Sequence, residues 1–249
     1  TWINENREAR GIEVVVVLGD IGWSGGLKPA RAALDKLEIP YVPIIGDNCM
    51  HAGDEKTWSD VFGPVYKTLE SDFKGLSRGA TPTTHGKTGK AVILQNVSFD
   101  LHGVHIVALD ISPREKLGLI GELGDIHDYP GGSWPWFQKD IEKVKNYPKG
   151  SVLVAAHIPM HISAGALDTG HMAKVKALSD TVPGLIHASI AGHYHIDALV
   201  DIPSLPFPSY VVGPIFAGPL PVHIATATVS TDEVTWIHDT VPLPQYMQP

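Results

Sequence analysis

Residues 12–20 read Ile-Glu-Val-Val-Val-Val-Leu-Gly-Asp, a β-branched run closed by a glycine and a carboxylate. The run is too short for a buried helix and does not alternate apolar with polar residues. It therefore predicts a strand over Ile12–Leu18 buried on both faces of a sheet. Before it, Trp2, Ile3 and Asn6 fall at helical spacing and Gly11 suits a C-cap, which predicts a helix over residues 1–10. After it comes a glycine-rich loop at Gly22, Gly25 and Gly26, then a helix opening near Pro29 and a second buried strand over Tyr41–Ile45. A β-loop-α-β unit of this kind places its ligand crevice just past the carboxyl ends of the strands, where Asp20 and Gly46-Asp47-Asn48 stand.

Two more runs of the same character follow. Ser151–Ala156 (SVLVAA) ends at His157, and Leu185–Ala191 (LIHASIA) is followed by Gly192-His193-Tyr194-His195. Ala91–Val97 and Val104–Leu109 read as strands, with a hairpin turn at Leu101-His102-Gly103. Trp134–Tyr147 reads as an amphipathic helix. Residues 58–90 receive no firm assignment, because Phe62-Gly63-Pro64 and the Gly/Thr/Lys stretch over 79–90 interrupt any period. Residues 111–133 form a long polar excursion, and short strands at Tyr210–Val212, Val222–Val229 and Val234–Ile237 make the last third mostly β. The whole is expected to be one α/β domain over residues 1–249.

Composition narrows the chemistry. Of 249 residues 43% are hydrophobic and 18% charged, and no apolar run approaches the length of a membrane span, so a soluble protein is expected. The formal net charge of −8 disfavours nucleic-acid binding through a basic face. A single cysteine, Cys49, excludes an intramolecular disulfide and thiol-rich zinc motifs, and reads as a small buried residue. Thirteen histidines are a large stock of the commonest metal ligand. Four strand ends therefore offer oxygen or imidazole ligands: Asp20, Asp47-Asn48, His157, and His193 with His195. In a two-metal centre such groups hold the ions, and the ions neutralise a phosphoryl group.

The chain resembles the calcineurin-like metallophosphoesterases. That family's blocks run Asp-x-His, Gly-Asp-x-x, Gly-Asn-His-Asp/Glu, a His after a buried strand, and Gly-His-x-His. Here VVVVLGD matches the second block, VLVAAHIPMH the fourth and AGHYHID the fifth. The resemblance implies a four-layer αββα sandwich of two mixed β-sheets flanked by helices. It also implies hydrolysis of a phosphate mono- or diester by metal-bound hydroxide, with a phosphorylated small molecule or diester as substrate. Two divalent transition-metal sites are implied; Mn, Fe and Zn all suit mixed carboxylate and imidazole ligands. Carried over by position, Asp20 bridges the metals, His157 and His193 bind one, and His195 binds the other.

The third block departs from the pattern. Gly46-Asp47-Asn48-Cys49 puts Asp47 where the family has its Asn ligand and Asn48 where it has a His that helps donate a proton; a shift by one would make Asn48 the ligand. Asn48 supplies no acidic proton, so His51 becomes a candidate donor, and His161 is either a substrate-phosphate contact or a surface residue. The first block is not matched, and a strand upstream of residue 1 is expected to supply it; without that strand the second metal keeps only Asp20 and His195. Two Asp-x-His triplets, Asp100-Leu101-His102 and Asp125-Ile126-His127, are weaker substitutes.

Two other readings compete. Gly22-Trp23-Ser24-Gly25-Gly26 fits a G-x-S-x-G nucleophile elbow, but only 23 residues precede Ser24, too few for the strands and oxyanion loop of that fold. A non-catalytic binding scaffold is the second alternative, favoured by the unmatched first block and altered third.

Overall fold

Helices α1 (Trp2–Arg10), α2 (Leu27–Leu34), α3 (Asp47–Ala52) and α4 (Glu55–Asp72) alternate with the short parallel pair β1 (Val15–Val17) and β2 (Tyr41–Pro43) in the first third of the chain. Then come β3 (Ser77–Arg78), β4 (Pro82–Thr84), β5 (Ala91–Ile93), β6 (Val97–Leu101), β7 (Val104–Leu109), α5 (Ser133–Val144), β8 (Val152–Ala156), α6 (Thr169–Thr181) and β9 (Ile186–Ala191). The chain closes with β10 (Ala198–Val200), β11 (Ser209–Val211), β12 (Pro221–Val229) and β13 (Val234–Pro242). This structure is a computed structural model that describes all residues except 23–24, 53–54, 74, 115–122, 162–165, 215–220 and 243–249, together with the side chains of 50–52, 55, 221 and 242.

The centre is a seven-stranded mixed sheet in the order β10-β11-β9-β8-β7-β6-β3. Its middle strands β7, β8, β9 and β11 run parallel, and antiparallel neighbours flank them on both sides. Parallel strands need both faces covered, and the core divides accordingly. On one face α5 and α6 bury Phe137, Ile141, Met172 and Val175 against Val107, Val154 and Ala156. On the other, Phe99, Ile106 and Ala108 pack with β2, α4 and the β12–β13 ribbon through Val42, Phe62 and Val234. The architecture is thus α/β, a large mixed sheet with helices on its faces, as expected. The β1–β2 and β12–β13 ladders pair as separate two-stranded units among the described residues. Within the described residues no helix is long and apolar enough to cross a membrane.

Three expectations need correction. β1 is shorter than the run that announced it, and Val15–Val17 are half-buried, not buried on both faces. Among the described residues its only ladder partner is β2, so one edge lacks the cover a central strand would have. The stretch Ala91–Val97 is two strands: β5 pairs back onto β4, and only from Val97 does the chain join β7 through the turn at His102 (φ 50°) and Gly103 (φ 87°).

The third correction is α4, where no structure was assigned. Trp58, Val61, Phe62, Val65, Tyr66, Leu69 and Phe73 are all buried at three- and four-residue spacing. Pro64 inside the helix costs about 3 kcal/mol relative to alanine. Burial of each large side chain contributes about 1.5–3 kcal/mol, so the stripe outweighs the proline. The Tyr66 hydroxyl then donates to the Pro43 carbonyl, fixing α4 against the strand that leads to Asp47.

Candidate metal centre

β8 and β9 are adjacent and parallel, so their carboxyl ends deliver His157 and His193 to the same edge of the sheet. The β1–β2 pair delivers Asp20 and Asp47 against them. Gly192 N–H donates to the His157 carbonyl at 3.0 Å, tying the two strand ends together, and the contact with the β1–β2 unit is direct: His157 Nδ1 donates to the Leu18 carbonyl at 2.6 Å. With Nδ1 engaged as a donor, Nε2 of His157 faces the carboxylates. It lies 2.8 Å from Asp47 Oδ1 and 3.3 Å from Asp20 Oδ2. His193 Nδ1 completes the cluster at 3.1 Å from Asp47 Oδ1 and 3.3 Å from His157 Nε2.

Electrostatics bind these groups together. Burial (3% exposed) disfavours charge on His157, but Asp20 and Asp47 outweigh it and push the ring up to about 10. Burial would raise Asp47, yet His157 and His193 hold it well below the usual carboxylate range. Asp20 is lowered in the same way, against burial, by His157 and then Asn48. Asn48 grips Asp20 twice, backbone N–H to Oδ1 at 2.9 Å and side-chain amide to Oδ2 at 2.7 Å.

Backbone geometry is specialised at these positions. Asp20 (φ 51°), His193 (φ 72°) and His195 (φ 57°) all occupy the left-handed region, which non-glycine residues rarely adopt and which functional sites retain at a cost in stability. The two glycines before the carboxylates are there for space. A Cβ on Gly19 would fall 2.4 Å from the His157 ring, and one on Gly46 would fall 2.2 Å from Asp20 Oδ1. Gly46→Ala therefore displaces a carboxylate without removing any donor atom. We expect it to weaken divalent-metal binding about 10- to 100-fold, the range for disturbing groups that orient ligands. Calorimetric titration with Mn²⁺ checks this, and an unchanged affinity would contradict the packing account.

The donor set fits a metal. A four-coordinate ion with bonds of about 2.0–2.2 Å holds its ligand atoms about 3.3 Å apart, and the contacts among Asp47 Oδ1, His157 Nε2 and His193 Nδ1 are 2.8, 3.1 and 3.3 Å. Carboxylate with imidazole suits Mn, Fe or Zn alike.

The other sequence candidates are placed differently. His195 is exposed and outside this cluster. His161 is buried, not a surface residue. Desolvation lowers its pKa, and its ring meets Tyr194 edge-on with centroids 5.7 Å apart. Cys49 is buried, and its thiol is pushed up to about 11, first by burial. The His51 side chain and Ser24 lie outside the described residues. Neither Asp-x-His triplet joins the centre: His102 pairs with Glu13 at 2.7 Å, Asp100 with His105 at 2.7 Å, and Asp125 and His127 gather with His85 elsewhere. Sequence reading did not single out Gly19 and Gly46 as close-approach positions, or His85.

No protein-family model matches the sequence, and no curated protein matches it. Solved structures do. A dimetal phosphatase from Danio rerio aligns with a TM-score of 0.61 at 15% identity, over 96% of this chain and 86% of that one. The sulfate thiohydrolase SoxB of Thermus thermophilus, in complex with glycerol, aligns with a TM-score of 0.56 at 12% identity, over 100% of this chain. This chain spans 43% of SoxB's length. Likeness at these identities shows a shared fold.

Proposed function

We propose that this chain hydrolyses a phosphate mono- or diester with the help of a divalent metal held by Asp47, His157 and His193. The observation that carries this reading is the convergence of those three donors, with Asp20 behind them, from the ends of four separate strands. The bound metal supplies positive charge that polarises and neutralises a phosphoryl group. That charge is needed because the segments bearing the ligands (18–22, 46–49, 156–161 and 192–197) contain no Lys or Arg, and the protein is acidic overall.

The chain's own residues divide the remaining work. Asp20 orients His157 and is itself oriented by Asn48, whose amide takes the place of a proton donor and offers none. His161, kept neutral by burial, is suited to hydrogen-bonding a substrate oxygen rather than to delivering a proton at neutral pH. His51 and His195 remain proposed participants, His195 as a ligand toward a second metal. The fold shared with a dimetal phosphatase supports the reaction class without identifying the substrate.

A second reading rests on Asn48: with no acidic proton at that position, the fold can serve as a metal-bearing binding scaffold. Turnover of 4-nitrophenyl phosphate and bis(4-nitrophenyl) phosphate separates the two. We expect hydrolysis to disappear on chelation and dialysis and to return on adding Mn²⁺. Hydrolysis that survives exhaustive chelation would overturn the metal reading. A chain that binds metal and turns over neither ester would support the scaffold.

A further inference from the structure

Three histidines that the proposed hydrolysis does not use meet ring to ring where the β12–β13 ribbon lies against the sheet. His238 of β13 occupies the middle. Its Nε2 is 2.8 Å from Nε2 of His187 on β9, and its Nδ1 is 2.9 Å from Nε2 of His223 on β12. The ring centroids are 5.1 and 5.2 Å apart, which puts each facing pair of nitrogens on the line between the ring centres. That is the geometry of a straight N–H···N hydrogen bond. The Tyr210 ring of β11 covers His238 face to face with centroids 3.8 Å apart, and the Trp236 ring lies nearly parallel to His187 at 5.1 Å.

The ribbon depends on side chains for its hold. Among the described residues β12 and β13 pair only with each other, so no ladder joins them to the seven-stranded sheet. The turn end is pinned through residues 149 and 150. Lys149 N–H donates to the Asp232 carbonyl at 3.1 Å, Val234 N–H to the Lys149 carbonyl at 2.7 Å, and the Trp236 indole to the Gly150 carbonyl at 2.7 Å. Beyond Trp236, on the face that strand alternation turns inward, the hydrogen-bonded rings of His238 and His223 take over.

Proton counting limits the charge these rings can carry. Each gap, 2.8 and 2.9 Å wide, takes one proton: two would set N–H against N–H, and none would set lone pair against lone pair. With both gaps filled, only Nδ1 of His187 and Nδ1 of His223 are left to take protons. The docked rings therefore hold at most one positive charge, whereas in water each of the three becomes charged below about pH 6.5. Burial works in the same direction. It lowers His187 and His223, and together with its two neighbouring rings it holds His238 at about 4. Asp197 and Asp239 favour charge on His223 without overcoming burial, and Asp239 is shared with Arg10 at 4.0 Å. Tyr210, raised by burial, stays neutral.

We propose that His187, His238 and His223 form a pH-sensitive latch that docks the β12–β13 ribbon on the sheet at neutral pH and releases it on acidification. The released rings bind up to two more protons than the docked ones. Docking is therefore at full strength above about pH 6.5 and weakens as pH falls, because the released form then takes up the extra protons. Each such proton is worth about tenfold per pH unit, so the loss approaches about 100-fold per unit near pH 5. This window lies above the ordinary carboxylate range of about 3.9–4.3, which separates the latch from general acid unfolding.

Hydrogen–deuterium exchange of the full chain, corrected for intrinsic rates, tests this, with the β7 and β8 amides as the reference. We expect protection across residues 223–240 to fall about 30- to 100-fold between about pH 6 and about pH 5 relative to that reference. His238→Phe keeps a ring against Tyr210 but empties both gaps, so His187 and His223 can each take a proton while docked. In that variant the fall is expected to shrink below about tenfold. Ribbon protection that tracks the reference over this range, or a fall that His238→Phe leaves intact, overturns the proposal. Histidine ¹⁵N spectra of the unsubstituted chain decide the matter however the variant folds. They are expected to show no more than one charged ring among the three wherever the ribbon amides are protected. All three rings charged on a protected ribbon would overturn it.

Discussion

Replacing His157 with alanine is expected to reduce kcat/KM for an aryl phosphate ester by about 10³-fold. Its Nε2 is the meeting point of the centre, within 3.3 Å of Asp20, Asp47 and His193. Removing it deletes one of three donors and leaves two carboxylates facing each other without the cation between them. A metal's stabilisation of phosphoryl charge is worth several kcal/mol, and each 1.36 kcal/mol is tenfold in rate, so loss of occupancy accounts for three orders of magnitude. Rate and metal content, measured on the same preparation, should fall together. A variant that loses metal but keeps its rate would show that the metal is not used.

Asp20→Asn and Ser24→Ala separate the metal reading from the serine-hydrolase one. The Asp20 carboxylate lies 3.3 Å from His157 and accepts two hydrogen bonds from Asn48. An amide there halves the acceptor capacity and removes the charge that holds the imidazole in place. We expect turnover to drop about 10²-fold, the equivalent of about 2.7 kcal/mol, while Ser24→Ala stays within about a few-fold of the parent. The serine reading reverses the two, and covalent capture of Ser24 by a fluorophosphonate would establish it.

How much of this was legible in the sequence depends on the kind of signal. VVVVLGD, YVPIIGD, SVLVAAH and LIHASIAGH each join a strand's apolar run to a polar terminus, a local pattern, and these four ends meet, whereas His195, chosen by the same pattern, lies outside the cluster. Asp20, Asp47, His157 and His193 could therefore be chosen before any fold was known. Length and burial of β1 were misjudged because its composition says nothing of which edges are paired. α4 was readable in principle, since Trp58 through Phe73 keep a helical period, but Gly63-Pro64 hides it from anyone reading local breakers alone. The requirement for glycine at 19 and 46 arises from side chains far off in sequence, and no local pattern encodes it. The same holds for His85, which lies 40 positions before Asp125 on an unrelated turn.

The most direct test of the Asp47–His157–His193 centre is anomalous diffraction at the manganese or zinc absorption edge from crystals of the metal-loaded chain. The account predicts a peak about 2.0–2.2 Å from Asp47 Oδ1, His157 Nε2 and His193 Nδ1 together. These three atoms still hydrogen-bonded to one another at saturating metal, with no peak between them, would contradict it.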